Sequence, residues 1–83
     1  MAISAIEIDP RVEAVTVDDK HLQVTLRDGR RISAPTAWFP RLAAATADQR
    51  RDWEPAAAGL GIHWPQIDED LSVEGLLRGG AAA

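Results

Sequence analysis

Along residues 12–34 the apolar positions fall every second residue. Leu22, Val24 and Leu26 alternate with Gln23, Thr25 and Arg27, the period-2 pattern of a strand with one wet face. Val15 and Val17 supply the same face on the preceding strand. The intervening Asp18-Asp19-Lys20-His21 is even in length, so Val17 is expected opposite Leu22 and Val15 opposite Val24. Parity also decides the next turn. A two-residue Asp28-Gly29 turn would set Thr25 opposite Ile32 and point the third strand's apolar residues at water. A three-residue Arg27-Asp28-Gly29 loop, with Gly29 left-handed in a bulge, sets Val24 opposite Ile32 and Leu22 opposite Ala34. The result is a three-stranded antiparallel meander. Ile6 and Ile8 alternate too, but Asp9-Pro10 interrupts them, which leaves residues 1–11 as an N-terminal arm or an edge strand.

After Pro35 the pattern loses its period of two and becomes rich in alanine. The segment Thr36-Ala37-Trp38-Phe39-Pro40-Arg41-Leu42 predicts a short helix over about 37–45, with proline tolerated in the first turn. Thr46 and Gln49 have capping-box spacing, and Asp48 places acid in the first turn of a second helix over 47–54, stopped by Pro55. Trp38, Phe39, Leu42 and Trp53 are the large side chains available to cover the sheet. Gly59 to Pro65 reads as a short strand or a close-packed loop. Ser72 caps a last helix over 73–78, ended by Gly79-Gly80, and residues 79–83 form a disordered tail. The fold class is α+β: one domain over 12–78, a small meander covered on one face by two short helices, with a short C-terminal helix.

Composition limits how much core this pattern can build. Of 83 residues, 38 are hydrophobic, but 15 of those are alanine and only 23 are larger. One thin apolar layer at roughly 25 cal/mol per Å² leaves a chain of this size only a few kcal/mol above its conformational entropy. An oligomer or partner interface is a ready source of extra stability. With no cysteine, disulfides, zinc-thiolate sites and thiol nucleophiles are excluded, and the chain suits a reducing compartment. The first residues lack the basic start and apolar run of a signal peptide, and no stretch approaches the 18 apolar residues of a spanning helix. The expected location is cytoplasmic, away from membranes. Net charge is −4, with eight arginines to one lysine. That balance favours local ion pairing over a basic field for nucleic acid.

Candidate chemistry concentrates in His63-Trp64-Pro65-Gln66-Ile67-Asp68-Glu69-Asp70. One imidazole and three carboxylates suggest a hard-metal site, but the spacing matches neither an EF-hand loop nor paired-histidine zinc patterns, so neither metal nor cofactor is assigned. The stronger reading is that these carboxylates, just ahead of a helix at Ser72, accept backbone amides and pair with Arg41, Arg50 or Arg51, clamping the acidic segment to the helices. A hydrolase would use His63 as base with Asp68 or Asp70 orienting it, but Ser33 and Ser72 read as strand and cap, not as nucleophiles. The expectation is no enzymatic activity. Arg27, Arg30 and Arg31 form a positive hairpin tip, offset by Asp28. Trp64, between His63 and Pro65 at the edge of the acidic run, is assigned to a partner surface with Asp68, Glu69, Asp70, Arg41 and Arg50. The other reading, Trp64 packed beneath its own loop, stays open.

Several strings are specific: Val24-Thr25-Leu26-Arg27-Asp28-Gly29-Arg30, Trp38-Phe39-Pro40-Arg41-Leu42, Ala45-Thr46, Gln49-Arg50, Trp53-Glu54, and Gly61-Ile62-His63-Trp64-Pro65 through Ile67-Asp68-Glu69-Asp70-Leu71-Ser72-Val73 to Gly75-Leu76-Leu77. Over about residues 12–78 the chain resembles the bacterial domain of unknown function 2442 family. The resemblance names no reaction. It implies a small α+β domain, in some members fused to a helix-turn-helix. It also implies a gene often paired with domain family 4160 in modules that look like toxin-antitoxin pairs. No helix-turn-helix fits after residue 78, so DNA binding by this chain alone is disfavoured. The leading expectation is an antitoxin-like module that neutralises a small toxin-like protein, the neighbouring gene's product, by direct contact. The alternatives are a DNA-associated regulatory domain or an uncharacterised metal-dependent hydrolase.

Overall fold

The computed structural model describes residues 7–79. Among the described residues, six strands and three short helices build an α+β fold with two three-stranded antiparallel sheets. The first sheet contains β1 (Val12–Val17), β2 (His21–Leu26) and β3 (Arg31–Pro35) in that order. Val17 pairs with Leu22 and Val15 with Val24. Val24 pairs with Ile32 and Leu22 with Ala34, the register that the bulged three-residue turn requires. Gly29 closes that turn at φ +94°, a region L side chains rarely adopt. The first turn is held by Asp18, whose carboxylate accepts from the amides of Lys20 and His21 at 2.8 and 2.7 Å. These two amide donors hold the Asp18 carboxyl below its ordinary range.

One core residue depends on an irregularity that alternation does not show. Val12 pairs with Leu26 while Ala14 pairs with Thr25, so β1 carries a bulge between them. Strict alternation would put Val12 on the wet face; the extra residue returns it to the core, where it is buried.

The helical cover is shorter than the pattern predicts. A 3-10 turn, Thr36–Trp38, leads into α1 (Pro40–Ala43), and α2 spans Ala47–Arg51. The α2 capping box is complete: the Thr46 hydroxyl accepts from the Gln49 amide at 3.1 Å and the Gln49 side chain accepts from the Thr46 amide at 2.9 Å. The helix does not reach residue 54, because Pro55 disfavours helical geometry at Glu54, and Glu54–Ala56 is a strand, β4.

That strand opens a second sheet where no sheet was expected. β4, β5 (Gly61–Trp64) and β6 (Glu69–Ser72) pair in order, Glu54 with His63, Ile62 with Leu71 and Trp64 with Glu69. The two sheets and α3 (Val73–Arg78) share one core of which Leu22, Val24, Phe39, Leu42, Ile62 and Trp64 are members. α3 begins and ends as its sequence indicates: the Ser72 hydroxyl accepts from the Gly75 amide at 2.9 Å, and Gly79 takes a left-handed C-cap at φ +72°. Trp38, expected in the cover, is 46% exposed. The proposed arm falls partly outside the described residues, with Ile6 among them, and so does the tail beyond Gly79.

Gly29 tests the register argument. An added Cβ there meets nothing within 4 Å, so Gly29→Ala isolates backbone strain from any clash. Urea unfolding should show a loss of about 1–2 kcal/mol, with the Val24–Ile32 cross-strand contact retained by NMR. A neutral substitution would mean that the turn does not depend on its left-handed residue.

Candidate functional site

The six residues assigned from sequence to a partner surface do not lie on one surface. Trp64 is fully buried. It lies on β5 in register with Glu69, beside Ile62 on the strand's core face, and its indole N–H donates to the Arg50 carbonyl at 3.1 Å. It therefore cannot touch a partner in the folded chain; the loop reading of Trp64 is replaced by a core strand. Arg50 is 8% exposed and also turns inward. Its Nε donates to the Leu42 carbonyl at 2.9 Å, Nη2 to the Ala43 carbonyl at 3.1 Å and Nη1 to Asp19 at 2.8 Å. These bonds give the Ala43 carbonyl a partner at the end of α1 and add to the Ala45 amide already on the Leu42 carbonyl. Arg50 thus holds the helices to the first sheet's turn, while Arg51 pairs with Asp48.

Arg41, Asp68, Glu69 and Asp70 do come together, at β6 and the turn before it. The Arg41 guanidinium donates to the backbone carbonyl of Asp68, a contact to main chain in place of the carboxylate pairing expected. Asp68 adopts φ +51°, which aspartate tolerates better than most residues, and closes the β5–β6 turn. Gln66 in the same turn donates to Asp52 at 2.9 Å, tying it to the end of α2. The Glu69 carboxylate curls back to accept from the Asp70 amide at 3.0 Å. Asp70 stands across the ladder from His63, with its carboxylate 2.7 Å from Nδ1.

The His63–Asp70 pair lies on the sheet face opposite Ile62 and Trp64. The hydrogen bond to Asp70 raises the His63 pKa, against some desolvation, and the charges of Asp70, Glu54 and Asp68 add to the rise. This is the base and orienting carboxylate of the hydrolase reading. The hydroxyl nearest in sequence, Ser72, is occupied capping α3. Among the described residues no group of three or more His, Asp or Glu side chains converges as a metal cage.

A cleft of about 320 Å³ runs between β6 and the first sheet. Glu69, Asp70, Leu71 and Ser72 form one side, Trp38, Phe39 and Pro40 the other, and Gly75 and Leu76 of α3 also line it. Sequence reading missed this arrangement, because nothing local marks β6 as a strand or Trp38 as the exposed tryptophan. At the far hairpin, Arg30 is held by Asp28 at 2.9 Å and Arg11 by Asp9 at 2.9 Å. These bonds depress both carboxyls, Asp9 to about 2, and neutralise part of the positive tip. Among the described residues no helix is long and apolar enough to cross a membrane.

Comparison with known proteins places this geometry among relatives. A family model described as "Protein of unknown function (DUF2442)" matches residues 12–82. A crystal structure of a protein of unknown function from Rhodospirillum rubrum ATCC 11170 is 31% identical, over 83% of this chain and 86% of that one, with a TM-score of 0.70. The solution NMR structure of an uncharacterized protein from Chromobacterium violaceum is 24% identical, over 88% of this chain and 69% of that one, with a TM-score of 0.74, and is similar in fold. No curated protein matches the chain.

Two measurements test these assignments. Trp64→Phe keeps most of the ring volume but leaves the Arg50 carbonyl without its donor, and should cost about 1–3 kcal/mol in urea unfolding; Trp64→Ala should cost about 3–5 kcal/mol. A stable, well-folded Trp64→Ala variant would return this side chain to the surface. The second measurement is pH dependence. A histidine whose folded pKa is raised above its ordinary value of about 6.5 stabilises the fold fully below that value and loses the contribution as pH rises through the folded pKa. The urea midpoint should therefore fall over that window in the parent chain, and Asp70→Asn should flatten the dependence while lowering the His63 pKa seen by NMR.

Proposed function

This chain belongs to the DUF2442 family, and we propose that it is a small, non-enzymatic protein-binding module, an antitoxin-like component that neutralises a neighbouring gene's product by direct contact. The observation that supports this reading is the acidic run Asp68-Glu69-Asp70, carried on and just before an outer strand. Asp68 and Asp70 are exposed, Glu69 is half-buried, and the cleft beside the run holds a half-exposed tryptophan. Asp70 keeps 69% of its side chain exposed while bonded to His63. An acidic strand next to an aromatic side chain suits a basic protein surface and repels phosphate, and the chain's net charge of −4 acts in the same direction. Trp64 and Arg50 serve this function indirectly, by holding the second sheet in place.

Co-expression with the adjacent gene is the direct test. A stable complex should co-purify, and Asp68→Asn with Asp70→Asn should raise its Kd about tenfold without loss of fold, as expected for charges at an interface rim. The absence of any complex, together with salt-sensitive binding to duplex DNA that disappears in Arg27→Gln and Arg31→Gln, would favour the DNA-associated regulator and overturn the protein-binding reading.

A further inference from the structure

β6 is an outer strand of its sheet, and its register determines which of its backbone groups remain open. Val73 donates to the Leu60 carbonyl at 3.0 Å, one step beyond the Gly61–Ser72 pair. Hydrogen-bonded and open pairs alternate along an antiparallel ladder, so Ile62–Leu71 and Trp64–Glu69 are the bonded pairs. Asp70 accordingly turns its amide and carbonyl, and Ser72 its amide, away from β5, while the carbonyl of Ser72 as N-cap serves α3. The same alternation explains Pro55 on β4, whose missing N–H falls at an open position opposite Ile62.

One outward group of the strand, and one carbonyl in the turn just before it, are occupied by side chains from the chain itself. The Asp70 amide is taken by the Glu69 carboxylate, and the Asp68 carbonyl by the Arg41 guanidinium. Both are charged, exchangeable caps of the kind that keep an open edge from pairing indiscriminately. Beside this edge lies the cleft of about 320 Å³, apolar along Phe39, Leu71 and Leu76, with Trp38 46% exposed in its wall.

We infer that this edge is the docking strand of the module: an extended partner segment with basic and apolar residues in alternation adds to β6 in the cleft. Its main chain bonds the Asp70 amide and carbonyl and the Ser72 amide, displacing the Glu69 cap. Its apolar side chains enter the cleft, and its Arg or Lys lies over the Trp38 ring, within reach of the freed Glu69 carboxylate. Charge selects this occupant. A second copy pairing antiparallel about Asp70 would set Asp70 against Asp70 with Glu69 close by, and like charges directly opposite destabilise a ladder. A cationic strand meets complementary charge at the same positions.

The inference rests on the protein-binding reading and deepens it. Its test uses the intact chain and a display library of short random peptides. Enriched sequences should alternate Arg or Lys with apolar residues. A synthetic copy of the strongest should shift the amides of Asp70, Leu71 and Ser72 and the Trp38 indole by NMR. Trp38→Ala and Glu69→Gln, both at solvent-accessible positions, should each weaken it about tenfold. N-methylating alternate peptide amides on one edge should abolish binding without altering this chain at all. No enrichment, enrichment of acidic peptides, self-association through β6, or binding indifferent to Trp38→Ala and to N-methylation would each overturn the inference. A neighbouring-gene complex that forms normally with both variants would overturn it and leave the protein-binding function standing; peptide docking at β6 with no such complex would do the reverse.

Discussion

The contact between Trp64 and Arg50 joins parts of the chain that share no strand pairing. Arg50 sends its guanidinium to two carbonyls at the end of α1 and to the turn between β1 and β2, while its own carbonyl receives the Trp64 indole from β5. One residue thus links the first sheet, both cover helices and the second sheet. In a chain with only 23 large apolar residues, packing alone leaves little margin to hold two small sheets against each other. Directional bonds to buried main-chain groups add orientation that apolar contact does not supply, and leaving any of those groups unpaired costs more than the bond contributes. Among the described residues no buried side-chain polar atom is left without a partner, so this polar node is fully satisfied.

From that node the position of the second sheet follows. Trp64 fixes β5, β5 carries β4 on one side and β6 on the other, and the β6 register decides which backbone groups face the cleft. The β4–β5 connection is tight. Ala57, Ala58 and Gly59 all take positive φ, at 50°, 58° and 90°. Two alanines in left-handed geometry are costly, and the strain is stored where the chain must reverse within four residues to bring Trp64 under the helices. An added Cβ at Gly59 would also sit 3.0 Å from the Arg11 side chain, which would have to shift by a few tenths of an ångström.

Legibility in the sequence tracks how local the deciding physics is. Alternation and turn parity are properties of neighbouring residues, which is why the pairings of Val15, Val24 and Ile32 could be worked out from the chain, as could the Thr46 capping box and the Ser72 cap. The second sheet hid behind contrary local signals. β4 is three residues with a proline in the middle, and β6 is Glu-Asp-Leu-Ser, a composition that strand propensity disfavours. Both exist because β5 between them is apolar and anchored, a tertiary cause. The tryptophans were exchanged for the same reason. Trp64 sits among polar neighbours in sequence yet is the core residue, and Trp38 sits in an apolar string yet is half exposed. Of the candidate residues, Asp68 and Asp70 are exposed and Glu69 half-buried; Arg50 and Trp64 were visible as notable residues, but their direction depended on a sheet that the sequence did not announce.

The charge on β6 admits two physical readings that are compatible. Acidic residues at an open edge suppress pairing with other acidic or neutral strands, which protects a small, marginally stable domain from edge-to-edge aggregation. For the docking strand inferred above, the same residues favour only the class that brings cations to them. Specificity is a difference between affinities, so a device that repels most strands is also a device that selects. On the docking inference Glu69 sharpens the difference, because it gives up its bond to the Asp70 amide when another strand arrives, and only a partner that replaces both the main-chain bond and the charge contact recovers the loss. On that inference the edge discriminates by charge at the main-chain position that Glu69 already caps.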